Sequence, residues 1–135
     1  MADEPVFLYV EDDSSSRMVM QTMLIRALGF SHLTMFENSQ DFIARLEALT
    51  EKPTLIFVDI HMKPHDGFTL LEMIRSHPSY ADTRVIALTA SVMSDEITRL
   101  KEVGFNGAIA KPLSQRTFPE LLNSVLNGEE VWHIK

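Results

Sequence analysis

The sequence predicts an α/β fold, in which five parallel strands form a doubly wound sheet of order 2-1-3-4-5 with five helices. Two observations predict it. Short apolar runs without polar alternation, typical of strands covered on both faces, recur between segments of helical periodicity. These runs also end abruptly at polar residues, as where Leu55 to Val58 meets Asp59. Strands that alternate with helices imply parallel pairing through right-handed crossovers, with helices on both faces of the sheet.

The first strand and helix surround an acidic cluster. The strand is predicted at residues 6–10, and the acids at 11–13 follow it directly. The helix is expected to begin at an N-cap serine among residues 14–16, because a serine hydroxyl accepts from the free N–H groups of a first turn. It should stop at Gly29 in the left-handed conformation and bury a broad apolar stripe, which Met18 widens.

The later elements follow the same rules. The remaining strand-like runs lie at residues 33–36, 54–59, 85–88 and 107–110. The predicted helix caps are Asn38 or Ser39, Asp66, Ser94 and Thr117, the last in a capping box with Glu120. The helices are expected to end near Leu49, His77, Gly104 and Asn127.

The length and composition of the chain exclude several classes of protein. A chain of 135 residues predicts one domain at 6–127, with an N-terminal extension at 1–5 and a tail at 128–135. Disulfides and thiolate zinc sites are excluded because the chain has no cysteine. We expect a cytoplasmic protein without a membrane partner, because the start lacks a signal-peptide pattern and no apolar stretch is long enough to span a bilayer. The net charge of −7 argues against a nucleic-acid partner.

The strand ends bring reactive side chains to one edge of the predicted sheet. In the order 2-1-3-4-5 the ends of strands one and three are neighbours at the topological switch point, with strands four and five beside them. Those ends carry the acids at 11–13, Asp59, Thr89 and Lys111. Clustered carboxylates repel one another unless a cation balances them, and Mg²⁺ is the natural candidate because it prefers oxygen ligands.

These groups suit phosphoryl transfer. Asp59 can attack as a nucleophile and become an acyl phosphate. Lys111 and a metal ion can neutralise the transferring oxygens, and Thr89 can donate to one of them. The plainer alternative is that Asp59 merely ends its strand or caps the loop after it.

The chain from Val6 to Asn127 resembles the receiver domains of bacterial two-component response regulators, including the chemotaxis type. The resemblance depends on five motifs in order, each at the end of an expected element. The motifs are Val10-Glu11-Asp12, Val58-Asp59, Asp66-Gly67, Thr89-Ala90 and Lys111-Pro112. It implies the flavodoxin-like arrangement of the predicted sheet.

The resemblance also implies a metal site. Asp59 would be the phosphoacceptor and a ligand of Mg²⁺. Glu11 and Asp12 match the acidic pair that organises the ion, and the main-chain carbonyl of His61 would be a further ligand. The pair could instead be Asp12 and Asp13, but Glu11 is favoured because the strand run stops just before it.

The remaining roles implied by the resemblance concern switching. Thr89 matches the hydroxyl that moves onto the phosphoryl group, and Lys111 matches the lysine that pairs with it, followed by a cis bond to Pro112. Three residues before that lysine the family commonly has Tyr or Phe, whose ring swings inward, but this chain has Ala108. Our hypothesis is that phosphorylation changes the conformation of residues 89–94 and the fourth helix, or that it produces only a weak output.

The implied function is a stand-alone phosphoacceptor switch that catalyses only its own phosphorylation and dephosphorylation. A histidine kinase or histidine phosphotransfer protein would supply the phosphoryl group, a downstream protein would read the switch, and a homodimer is a family habit. The alternatives are a phosphorylation-independent interaction module and a small Mg²⁺-dependent phosphohydrolase, which would need a second acid where His61 stands. The tail, with the only tryptophan, Trp132, is expected to pack on the body or be disordered rather than serve as a docking peptide.

Overall fold

The computed structural model describes residues 4–90 and 94–133, which form a parallel sheet of order β2-β1-β3-β4-β5-β6 between helices. The strands are β1 (Phe7–Val10), β2 (Leu33–Phe36), β3 (Leu55–Asp59), β4 (Arg84–Thr89), β5 (Gly107–Ala110) and β6 (Val131–His133). The helices are α1 (Ser14–Gln21), α2 (Phe42–Glu47), α3 (Gly67–Ser76), α4 (Ser94–Val103) and α5 (Phe118–Leu126). The predicted doubly wound sheet and its strand order are confirmed, but the count of five strands was one short.

Two hydrophobic cores lie on opposite faces of the sheet, because successive side chains of a strand point to opposite sides. Phe7 and Tyr9 of β1 pack with residues of α1 and α5. Leu8 and Val10 pack with residues of α2, α3 and α4. All four residues of β1 are buried, which explains why its sequence shows no polar alternation.

The first helix begins one residue earlier than its serines suggest. Asp13 is the N-cap, and its Oδ2 accepts from both the backbone N and the Oγ of Ser16 at 2.8 Å. The helix continues as a π-helical segment over Thr22–Ala27 and stops at Gly29, whose φ is 77°. Met18 is 71% exposed, so it does not widen the core stripe, because it lies on the solvent side of the helix.

The second helix is shorter than predicted, and neither Asn38 nor Ser39 caps it. It begins after Asp41, which has a left-handed backbone with φ of 53°. Ser39 is buried and instead joins the loop after β3. Its hydroxyl donates to the carbonyl of His65 at 2.7 Å and accepts from the backbone N of the same residue at 2.8 Å. This serine therefore braces the loop that follows the central strand.

The other helix starts differ in how they are capped. Asp66 caps α3 as predicted, since its Oδ1 accepts from the backbone N of Thr69 at 2.9 Å. Thr117 makes no side-chain cap bond to α5, so the predicted capping box is wrong. Ser94 is the first residue of α4, and residues 91–93, which precede it, lie outside the described residues.

The sixth strand comes from the tail. Val131 pairs with Gly107 and Trp132 with Ala108 in parallel register. Gly107 permits this approach, because a Cβ there would lie 2.5 Å from the carbonyl oxygen of Val131. Val131 packs into one core and Trp132 against the other, so the tail belongs to the body through residue 133, while 134 and 135 lie outside the described residues.

Within residues 4–90 and 94–133, none of the helices has both the length and the apolar character required to cross a membrane.

Candidate functional site

Glu11 is the most buried acid of the candidate site. It follows β1 and is fully buried. Its Oε1 accepts from the Tyr9 hydroxyl and from Lys111 Nζ, each at 2.7 Å. The guanidinium of Arg17 donates to the Glu11 carbonyl at 2.8 Å, which holds the backbone at the end of β1. A buried carboxylate is costly unless it is paired and hydrogen-bonded, and Glu11 is both.

The electrostatics of this cluster favour an ionised Glu11. Burial acts to raise the pKa of Glu11, but hydrogen bonds with Asp59, Lys111 and Tyr9 outweigh burial and leave the pKa below its ordinary value. Burial and then the charge of Glu11 raise the pKa of Tyr9, so the phenol keeps its proton and remains a donor. Burial acts to lower the pKa of Lys111, but Glu11 and Asp59 raise it overall, so the ammonium stays charged.

Asp59 lies at the end of β3, one strand away from Glu11. It is 4% exposed, and its Oδ1 accepts from the backbone N of His61 at 3.3 Å. The Nζ of Lys111 is 3.5 Å from the same oxygen. Burial, followed by the hydrogen bond and charge of Glu11, raises the pKa of Asp59 to about 7, although Lys111 acts in the opposite direction. The metal-free pair of acids therefore carries a proton on Asp59 at mildly acidic pH.

Three carboxylates in the described part of the chain could hold a metal ion. Glu11, Asp12 and Asp59 each offer an oxygen, and these oxygens all lie within 4.8 Å of one another. Asp12 is exposed, whereas the other two are buried. Such oxygen donors suit a hard divalent cation such as Mg²⁺, and a cation here would relieve the repulsion that raises the pKa of Asp59. The residues therefore fit the predicted ion.

Of the two further residues predicted near the metal, Asp13 is engaged elsewhere. Asp13 is exposed and its carboxylate caps α1, so it is not one of the three clustered acids. His61 turns its backbone N toward Asp59, and its exposed imidazole Nε2 is 3.9 Å from Glu96 Oε1. These positions agree with an acidic pair of Glu11 and Asp12 better than with the alternative pair that includes Asp13.

Lys111 reaches the acids from the end of β5. Its backbone N donates to the carbonyl of Thr89 at 2.9 Å, which ties the ends of β4 and β5 together. The Lys111–Pro112 bond is cis, as the resemblance implied, and Lys63–Pro64 in the loop after β3 is also cis. The strand ends thus bring Lys111 together with Glu11, Asp12 and Asp59, as the sheet order predicts.

Thr89 ends β4 on the other side of Asp59. The register pairs Asp59 with Leu88, so Thr89 is the next residue along the neighbouring strand. Its side chain is fully buried, and its Oγ1 donates to Glu96 Oε1 at 3.1 Å. The predicted hydroxyl therefore stands beside the acid cluster, already bonded to a side chain of α4.

Two residues of this site, Tyr9 and Glu96, were missed by sequence reasoning. Tyr9 could have been found, because a tyrosine two residues before an acid shares its face of an extended chain. Glu96 lies in the first turn of α4, where a negative charge suits the helix dipole, and this position by itself indicates no role at the site. Its contact with Thr89 spans seven residues of sequence and depends on how α4 packs.

Two curated relatives match most of the chain. The transcriptional regulatory protein GltR of Pseudomonas aeruginosa is 32% identical over 130 residues, which cover 95% of this chain and 51% of GltR. The probable chemotaxis protein CheY of Rhizobium etli is 29% identical over 129 residues, which cover 95% of this chain and 97% of CheY. The chain thus spans about half the length of GltR and nearly all of that CheY.

Solved structures share the fold, and a family model matches the sequence. Chemotaxis protein CheY4 of Vibrio cholerae, 22% identical, superposes with a TM-score of 0.79 over 91% of this chain and 99% of CheY4. The bacteriophytochrome response regulator AtBRR, 17% identical, gives 0.77 over 99% of both chains. The family model described as the response regulator receiver domain matches residues 7–123. The chain therefore belongs to the response regulator receiver domain family, whose members are phosphoacceptor switches in phosphorelay signalling.

Proposed function

We propose that this chain is a phosphoacceptor switch in which Asp59 takes a phosphoryl group from a histidine kinase or a histidine phosphotransfer protein. An oxygen of the Asp59 carboxylate attacks phosphorus. The bond from phosphorus to the donor's imidazole nitrogen breaks, and that nitrogen keeps the electron pair. The observation that supports this proposal most directly is the position of the Lys111 ammonium, 2.7 Å from Glu11 and 3.5 Å from Asp59.

The residues around Asp59 have distinct tasks in this proposal. Asp59 must be ionised before it can attack. Together with Glu11, Asp12 and the His61 carbonyl, it would hold Mg²⁺. When bound, the ion supplies positive charge that offsets the crowded carboxylates and the phosphoryl oxygens. Lys111, whose Nζ lies 3.5 Å from Asp59 Oδ1, can pair with a phosphoryl oxygen carried by Asp59.

The proposed output is a protein contact. Phosphorylation adds charge at Asp59, which Lys111 neutralises and the Thr89 hydroxyl binds, and this biases the surface around α4. A protein target is favoured over nucleic acid because the chain carries a net charge of −7. The setting proposed for this exchange is the cytoplasm.

The test is intact mass spectrometry after incubation with acetyl phosphate. The wild type is expected to gain one phosphate in the presence of Mg²⁺ and none in its absence. Asp59→Asn is expected to gain none under either condition, because an amide is not a nucleophile for this reaction.

The matched control is Asp82→Asn, which removes an exposed carboxylate in the turn between α3 and β4. It should be phosphorylated like the wild type. Absence of an adduct on the wild type, with acetyl phosphate and with phosphohistidine donors alike, would contradict the proposal and favour a phosphorylation-independent interaction module.

A further inference from the structure

Glu96 is a fourth acid at the site and faces it from α4. Its Oε1 accepts from the Thr89 hydroxyl at 3.1 Å and lies 3.9 Å from His61 Nε2. Its side chain is only 20% exposed. The carboxylate thus lies between the hydroxyl that ends β4 and the loop that follows Asp59.

The hydroxyl of Thr89 carries a single proton, so it donates one strong hydrogen bond at a time. In this structure the hydroxyl donates to Glu96 Oε1 at 3.1 Å. A phosphoryl oxygen on Asp59 would require the same proton, and hydrogen bonds to ionised acceptors are the stronger kind. Glu96 and the phosphoryl group are therefore competitors for one donor.

We propose that Glu96 is a positioning residue, which holds the Thr89 hydroxyl in the unphosphorylated chain and releases it when Asp59 is phosphorylated. The inference rests on the function proposed above. Glu96 acts through Thr89 and touches none of the reacting atoms. Its effect is to make the phosphorylated form less favourable by the free energy of the Thr89–Glu96 hydrogen bond.

The surroundings offer the released carboxylate a place to go. A cleft of about 230 Å³ opens beside Glu96, lined also by His61, Phe68, Asp95 and Arg99. Arg99 follows Glu96 by three residues on α4, a spacing at which opposite charges on a helix can pair. In this structure its guanidinium lies over the Phe68 ring at 3.9 Å. An arginine and a histidine thus border the space into which Glu96 can move.

The experiment is a calorimetric titration with beryllofluoride in Mg²⁺, since this anion mimics the phosphoryl group on an aspartate. Glu96→Ala is expected to bind it about fivefold more tightly than the wild type, because Thr89 no longer has to break a bond to a partly exposed carboxylate. The matched control Glu102→Ala removes an exposed acid of the same helix and should bind like the wild type.

A double-mutant cycle separates the hydrogen bond from simple charge repulsion. In a Thr89→Ala background the Glu96→Ala change should leave the affinity unaltered, whereas in Thr89→Ser, which keeps a hydroxyl, the gain should return. An equal gain in all backgrounds, or no gain in the wild-type background, overturns the inference. If the wild type itself fails to bind beryllofluoride, the proposed function fails and this inference fails with it.

Discussion

The Tyr9 hydroxyl stabilises the buried carboxylate of Glu11. It gives Glu11 one of the two hydrogen bonds at 2.7 Å, and the other comes from Lys111. Tyr9→Phe removes the hydroxyl and keeps the ring, which packs edge-on against Phe57. We expect the free energy of unfolding to fall by about 1.5–3 kcal/mol, the range for hydrogen bonds to charged groups. Urea unfolding in the absence of metal measures this.

The other tyrosine provides the control for that variant. Tyr80 is also buried, but its hydroxyl makes none of the hydrogen bonds found in residues 4–90 and 94–133. Tyr80→Phe should therefore change the free energy of unfolding by less than Tyr9→Phe. Equal losses for the two variants would show that the Tyr9 hydroxyl does not stabilise Glu11.

Asp59 makes the stability of the metal-free chain depend on pH. Its pKa is about 7 in the folded chain and near its ordinary value, about 4, when unfolded, so the folded chain binds the proton more tightly. The contribution of Asp59 to the free energy of unfolding is thus greatest below pH 4 and is lost as the pH rises to about 7. Asp59→Asn should gain little at pH 4 and on the order of 4 kcal/mol at pH 8.

Thermal or urea unfolding of both chains in a chelator measures this difference. The comparison of wild type with Asp59→Asn cancels every pH dependence that the two chains share. A gain of equal size at pH 4 and pH 8 would mean that burial and the charge of Glu11 do not raise the pKa of Asp59 in the folded chain.

The position of each site residue in the fold explains whether the sequence could predict its role. Asp59 and Thr89 each end a buried strand and Lys111 directly follows one, so the sheet order alone brings them together. Tyr9 and Glu96 act through side-chain contacts made after the elements have packed. Periodicity does not report such contacts, because it records only which face a residue occupies.

Some boundaries of strands and helices were predictable from the sequence and others were not. The runs of β1, β3, β4 and β5 were predicted to within a residue or two because nearly all of their residues are buried. The start of α1 was assigned to a serine, although Asp13 is the better-placed acceptor. The strand β6 was not predicted, since three residues between acids and a terminus carry too little pattern. The feature that accounts for β6 is Gly107, whose missing side chain lets the backbone of Val131 approach β5.

The docking of β6 depends on that glycine. In Gly107→Ala the new Cβ would meet the Val131 carbonyl at 2.5 Å, so β6 must move away from β5. We expect a loss of about 1–3 kcal/mol in the free energy of unfolding, as for other overpacked sites. The emission of Trp132, which lies on β6 against the core, should shift to longer wavelength as the indole meets water.

These two readouts separate the causes of any loss of stability. The new Cβ would also lie 3.1 Å from Cδ1 of Ile86, which is in the core. A fall in stability without a change in Trp132 emission would mean that only the Ile86 contact is disturbed. In that case β6 would remain docked, and the argument from Gly107 would be wrong.

Across the whole molecule, α4 connects the site to the tail. Near its start Glu96 accepts from Thr89, and one and a half turns later the Lys101 ammonium lies 5.2 Å from the centre of the Trp132 ring. Trp132 pairs in register with Ala108, the position at which the family commonly has an aromatic ring. The Trp132 indole of β6 thus lies next to Ala108, where this chain has no aromatic ring of its own.

This geometry predicts that Trp132 reports the state of Asp59. Saturating beryllofluoride and Mg²⁺ should change the Trp132 emission, because release of Glu96 moves α4 and with it the charge of Lys101 over the indole. Lys101→Met should bind beryllofluoride as tightly as the wild type but show a smaller emission change. Amide exchange should slow across residues 89–110 on binding. If the emission stays constant at saturation and protection is confined to the neighbourhood of Asp59, then α4 does not carry the change across the molecule.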